Sequence, residues 1–100
     1  MKIKKPAAAG TTESSDIMIT LRPNEGRGIQ LDIQSDVKAT FGDAIEATLR
    51  EVLAQFGVTD AAVSVFDKGA LDFVIRARMQ CAICRAAEVR CDWGREDPRV

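Results

Sequence analysis

The sequence predicts an α+β domain, a two-layer sandwich in which a small, mainly antiparallel sheet is covered by two helices. Three observations carry this. Two short segments, IMITLR at 17–22 and IQLDIQ at 29–34, alternate apolar and polar residues. A longer segment, 37–56, repeats its apolar residues at helical spacing. A third strand-like run, AAVSVFD, is then followed by an Ala- and Arg-rich stretch of helical period. The order is β-β-α-β-α, with room for a final short strand.

Residues 1–15 show no apolar period, and the run AAAGTT at 7–12 reads as a flexible N-terminal arm. In 17–22, Ile17, Ile19 and Leu21 share one face, and Met18, Thr20 and Arg22 the other. That is the period of a strand buried on one side. Pro23 ends it, and NEGRG supplies turn residues. Ile29, Leu31 and Ile33 then alternate against Gln30, Asp32 and Gln34, so the two runs read as a β-hairpin.

Ser35 is the expected N-cap of the first helix, with Asp36 at the positive end of its dipole. Val37, Phe41, Ile45, Leu49, Val52 and Phe56 form its apolar stripe. Glu46 and Arg50 make an i,i+4 pair outside it, and Gly57 is the stop. Val63 and Val65 mark a third strand, and DKG a turn. Leu71, Ile75, Met79, Ile83 and Ala86 set the period of a second helix, although LDFVI alone also reads as a strand. A short edge strand is expected near Val89–Trp93. The chain thus divides into an arm at 1–15, a single domain at 16–93 and a tail at 94–100.

One hundred residues form one domain of ordinary size. A net charge of −1 gives no basic footprint for nucleic acid. No apolar run is long enough for a membrane span or a signal sequence, so the cytoplasm is the expected location. There is no His, which removes Ser-His and Cys-His nucleophile systems and histidine metal sites. Carboxylates and lysines remain available for acid–base work. Three cysteines, Cys81, Cys84 and Cys91, fit a reducing compartment better than a disulfide framework.

Several short patterns have a bland and a sharp reading. CAIC has C-x-x-C spacing but lies inside an apolar helical pattern rather than at a helix start, which favours incidental thiols over a redox or metal pair. Arg76, Arg78, Arg85 and Arg90 make the second helix cationic: a solvated face, or a dock for an acidic partner. GRG joins two strands and is too short for a phosphate-binding fingerprint. ESSD, at 13–16, is an ordinary polar lead-in on composition alone. It also presents hydroxyls that a modifying enzyme could reach.

The blocks GTTESSD at 10–16, GIQLDIQSDVKATFGDAIEATLREVLAQFGV at 28–58 and DKGALDFVIRARMQCAICRAAE at 67–88 resemble the acyl carrier subunit, or γ chain, family of citrate lyase. The resemblance covers nearly the whole chain. Thr12 departs from the family's usual GTLESSD, where Leu stands. The resemblance implies that Ser14, the first serine of the pair, carries the prosthetic group 2′-(5″-phosphoribosyl)-3′-dephospho-CoA through a phosphodiester. A transferase delivers the group from a triphosphoribosyl precursor. It implies further that the group's thiol holds acetyl and citryl thioesters while citrate is cleaved to acetate and oxaloacetate. The partners implied are the α (acyltransferase) and β (citryl lyase) subunits, and the chain itself is a carrier rather than a catalyst. A carrier for citramalate lyase or malonate decarboxylase, or a non-carrier interaction module, are the competing readings.

Overall fold

In the computed structural model, which describes residues 1–89, a four-stranded sheet is covered on one face by two helices. The elements are β1 (Ala7–Gly10), β2 (Ile17–Arg22), β3 (Ile29–Ser35), α1 (Lys38–Gln55), β4 (Ala61–Asp67) and α2 (Asp72–Ala87). The α+β two-layer architecture is as the sequence predicts. The expected edge strand at Val89–Trp93 and the tail at 94–100 fall, but for Val89 itself, outside the described residues.

The spatial strand order is β1-β2-β4-β3. β1 and β2, and β2 and β4, run antiparallel, whereas β3 and β4 run parallel. The expected hairpin between β2 and β3 is therefore not formed: β4 lies between them. Alternation in sequence shows that each segment is half-buried, but not which strand it sits beside. The actual hairpin is β1–β2, and the β3–β4 pair is joined by α1, as a parallel pair requires a crossover.

The period of two works out as a set of rows across the sheet. Ala9, Ile19, Val65 and Ile33 are register partners in one row, and Ala7, Leu21, Val63 and Leu31 in another. Ile17, Ile19, Leu21, Val63 and Val65 are fully buried beneath the helices. Full burial of each such side chain stabilises by about 1.5–3 kcal/mol. α1 covers β3, α2 covers β1 and β2, and the helices pack on each other over a shared core that includes Leu49, Val52, Met79 and Ile83. Met18, Phe66 and Gln34 lie on the opposite, open face.

The N-terminal segment departs from the expectation of a featureless arm. Ile3 and Ala9 are buried in the core. The Lys4 and Lys5 amides donate to the Ala86 carbonyl at 2.9 and 3.1 Å, which ties the start of the chain to the end of α2. Ala7–Gly10 pairs with β2 as an edge strand. A run of Ala and Gly carries no polar–apolar alternation, yet its small side chains let α2 approach closely.

Ser35 is also placed differently. It is the last residue of β3, and α1 begins three residues beyond it, after Val37. Its hydroxyl still serves the helix start, accepting the Val37 amide at 3.1 Å while donating to Asp67 Oδ2 at 2.7 Å. Gly57 ends α1 as expected, with φ of 67° and its amide on the Ala54 carbonyl at 3.0 Å.

Candidate functional site

The segment GTTESSD forms the loop of the β1–β2 hairpin, and most of its residues have a traceable reason to be there. Gly10 ends β1 at φ of 96°, and a Cβ built there would stand 1.7 Å from the Ile17 carbonyl oxygen. Only glycine lets the two strands approach at that point. Glu13, Ser14, Ser15 and Asp16 form a tight turn closed by the Asp16 amide donating to the Glu13 carbonyl at 3.2 Å. Ser15 takes φ of 64°, as the third residue of a type II turn must.

Asp16 locks the loop from inside. Its carboxylate accepts the Thr11 hydroxyl at 2.7 Å and its neighbour's amide, that of Ile17, at 2.8 Å. Arg78, from α2, grips it at two points, Nε to Oδ1 at 3.1 Å and Nη2 to Oδ2 at 2.9 Å. These bonds, that of Arg78 foremost, outweigh the cost of burial and hold the Asp16 carboxyl down to about 2. Thr11 Oγ1 in turn accepts the Glu13 amide at 3.2 Å.

A second brace comes from the turn after β4. The Ser15 amide donates to the Lys68 carbonyl at 2.8 Å, and the Lys68 amide donates to the Asp16 carbonyl at 2.9 Å. That turn is itself held by Asp67, which is buried. Its carboxylate accepts the Ser35 hydroxyl and, at 3.0 Å, the Ala70 amide.

Ser14 is what these braces present. It is exposed at the tip of the turn, between two residues whose backbone amide or carbonyl groups are hydrogen-bonded. Its hydroxyl makes no hydrogen bond to any described side chain or backbone group. Thr12, the departure from GTLESSD, is likewise exposed and leaves the bracing untouched.

The cationic helix face resolves into particular pairs. Arg78 holds Asp16. Arg76 bridges Glu51 at 3.0 Å and Asp72 at 2.7 Å, which lowers both carboxyls, and Arg85 donates to the Ala8 carbonyl at 2.8 Å. The sequence singled out these arginines as a face; their work inside the fold needed the tertiary structure. Arg90 lies outside the described residues.

The cysteines depart from the expectation of free thiols at one position, Cys84. Cys81 is a free, partly buried thiol, whereas Cys84 is disulfide-bonded, so the two do not form a couple with each other. Among the described residues no group of His, Cys, Asp and Glu is placed to hold a metal ion. No helix there is long and apolar enough to cross a membrane.

The chain matches the family model described as "Malonate decarboxylase delta subunit (MdcD)" over residues 4–86. It is 57% identical over 88 residues to citrate lyase acyl carrier protein 2 of Salmonella typhimurium, covering 88% of this chain and 91% of that one. The citrate lyase acyl carrier protein of Escherichia fergusonii is 52% identical over 95 residues, covering 94% and 98%. That of Clostridium perfringens is 44% identical over 95 residues, covering 94% of each chain. Among solved structures, a chain of a Pseudomonas malonate decarboxylase hetero-tetramer in complex with malonate superposes with a TM-score of 0.69 at 18% identity, covering 86% of this chain and 92% of that one. This last match shows a shared fold. With the loop that presents Ser14 and the rest of the domain both inside the matched region, the chain belongs to the citrate lyase acyl carrier protein family, a family of carriers rather than catalysts.

Proposed function

We propose that this chain is the acyl carrier subunit of a cytoplasmic citrate lyase and that Ser14 is its attachment residue. The observation that carries the reading is the exposed, unengaged Ser14 hydroxyl at the tip of a loop braced from α2 and from the turn after β4. A hydroxyl to be esterified must be reachable and must not be held by the protein's own groups, and Ser14 meets both conditions. Ser15 is also exposed, but its backbone is committed to Lys68 and its positive φ fixes it in the turn.

The group proposed for the site is 2′-(5″-phosphoribosyl)-3′-dephospho-CoA, joined through a phosphodiester of which the Ser14 oxygen would be one ester oxygen. When bound, it supplies a terminal thiol that carries acyl groups as thioesters. The chain's own part is positional. Arg78, Asp16 and Thr11 hold the loop's base, Lys68 holds its side, and Ser14 stands clear of the domain for the transferase and for the α and β subunits in turn. The malonate decarboxylase description of the family model favours a second reading, a carrier for a decarboxylase. The 44–57% identity to citrate lyase carriers supports the first reading.

The test is intact-mass measurement after incubation with the citrate lyase prosthetic-group transferase and its triphosphoribosyl precursor. The native chain gains the mass of the group, and Ser14→Ala gains nothing. A full gain on Ser14→Ala moves the site to Ser15 or elsewhere. No gain on the native chain, with a known carrier loaded in parallel, overturns the reading.

A further inference from the structure

An apolar groove of about 310 Å3 opens between the first half of α1 and the start of α2. Val37, Phe41 and Ala44 line one side, Ala70, Leu71 and Ile75 the other. Phe41 and Leu71 are 55% and 63% exposed, so the groove carries large apolar side chains that the domain itself does not cover. Its polar element is inward-facing and satisfied: the Thr48 hydroxyl donates to Asp72 at 2.8 Å. Apolar walls with few polar groups, in a volume near 300 Å3, are the usual properties of a small-ligand site.

The groove adjoins the attachment loop. Gly69 and Ala70 lie on its wall, and they follow Lys68, whose carbonyl receives the Ser15 amide at 2.8 Å. Standard bond lengths then place the Gly69 Cα within about 8 Å of the Ser14 Cα. A group esterified to Ser14 therefore begins beside the groove. Tethering matters here, because a short flexible link gives a local concentration in the millimolar range. A groove too weak to bind a free ligand is occupied under those conditions.

We infer that the groove between α1 and α2 is the resting site of the thiol-terminated arm carried on Ser14. The inference rests on the attachment proposed above. Its occupant is less polar towards the thiol, matching a path from Gly69 to Phe41 and Leu71. Resting there withdraws a thioester from water between visits to partner subunits.

The experiment compares backbone amide spectra of the bare and loaded chain, with loading verified by intact mass. Loading is expected to shift Phe41, Ala44, Leu71 and Ile75 as well as the loop at 11–16. The doubly substituted chain Phe41→Ser/Leu71→Ser, altered at two exposed positions, is expected to load to the same mass, keep the loop shifts and lose those at Ala44 and Ile75. Shifts confined to 11–16 and Lys68 in a fully loaded chain overturn the inference and leave the attachment standing. So do groove shifts that appear only when a partner subunit is added. Failure to load Ser14 at all removes both.

Discussion

Arg78 and Asp16 are 62 residues apart in sequence and meet in a two-point ion pair, with Nη2 2.9 Å from Oδ2 and Nε 3.1 Å from Oδ1. The pair joins the middle of α2 to the base of the loop that presents Ser14. The Asp16 side chain is 13% exposed and that of Arg78 41%, so water screens the pair mainly from the arginine's side.

Asp16 should give stability a definite acid limb. Its carboxyl falls from 3.8 to about 2 on folding, so its contribution is complete above about pH 4 and is lost as pH falls through 2. A shift of this size corresponds to about 2.5 kcal/mol, which the exposure of Arg78 reduces to about 1–2 kcal/mol. Asp16→Asn is expected to lose that amount at pH 7 and to match the native chain near pH 2. Urea unfolding at the two pH values measures it; an equal deficit at both would assign the loss to packing instead.

Gly10→Ala should be the most damaging conservative change in the hairpin. The new methyl would need the space of the Ile17 carbonyl, at a φ that alanine disfavours. A loss of about 3 kcal/mol or more is expected from the combination of clash and backbone strain. Thermal unfolding reads it, and a Tm unchanged from the native chain would refute the geometry.

Ser15 separates backbone shape from side-chain chemistry. Ser15→Gly is expected to stay within about 1 kcal/mol of the native stability, since relief at φ of 64° is offset by a freer unfolded chain. Ser15→Val, with branching at Cβ, should cost about 1–2 kcal/mol. Both should accept the group on Ser14, the valine variant more slowly. Equal rates of mass gain would show that the transferase does not read the turn.

Ile3→Ala tests whether the N-terminal segment belongs to the domain. Ile3 is 3% exposed, and truncating a buried Ile to Ala costs about 2–5 kcal/mol. The amides of Lys4 and Lys5, bonded to Ala86, should exchange slowly in the native chain and faster in the variant. Rapid exchange in both would return residues 1–6 to the status of a free arm.

These four positions also show what a sequence can and cannot convey. The stripe from Val37 to Phe56 and the alternations at 17–22 and 29–34 are local periods, and they are legible because burial imposes them residue by residue. Strand neighbours are not local: nothing in IMITLR or IQLDIQ says that Ala61–Asp67 will come between them. β1 escaped notice because alanine serves both faces of a strand equally. Ser14 was legible through the resemblance of GTTESSD to a family motif, whereas its support was hidden. The Arg78 in RARMQ looks like any arginine on a helix until the hairpin folds against it. Lys68 contributes through its backbone, which residue identity does not report.

The bond from Ser15 to Lys68 has a mechanical consequence. With the attachment proposed above, a cargo hung on Ser14 and drawn towards a partner would pull on a hairpin tip, which in isolation would peel β1 from β2 one bond at a time. The cross-link carries part of that tension into the end of β4, a central strand paired on both sides, and the grip of Arg78 carries part into α2. The tip thus behaves as a cantilever anchored in three elements, and compliance during hand-over would reside in whatever is attached to it.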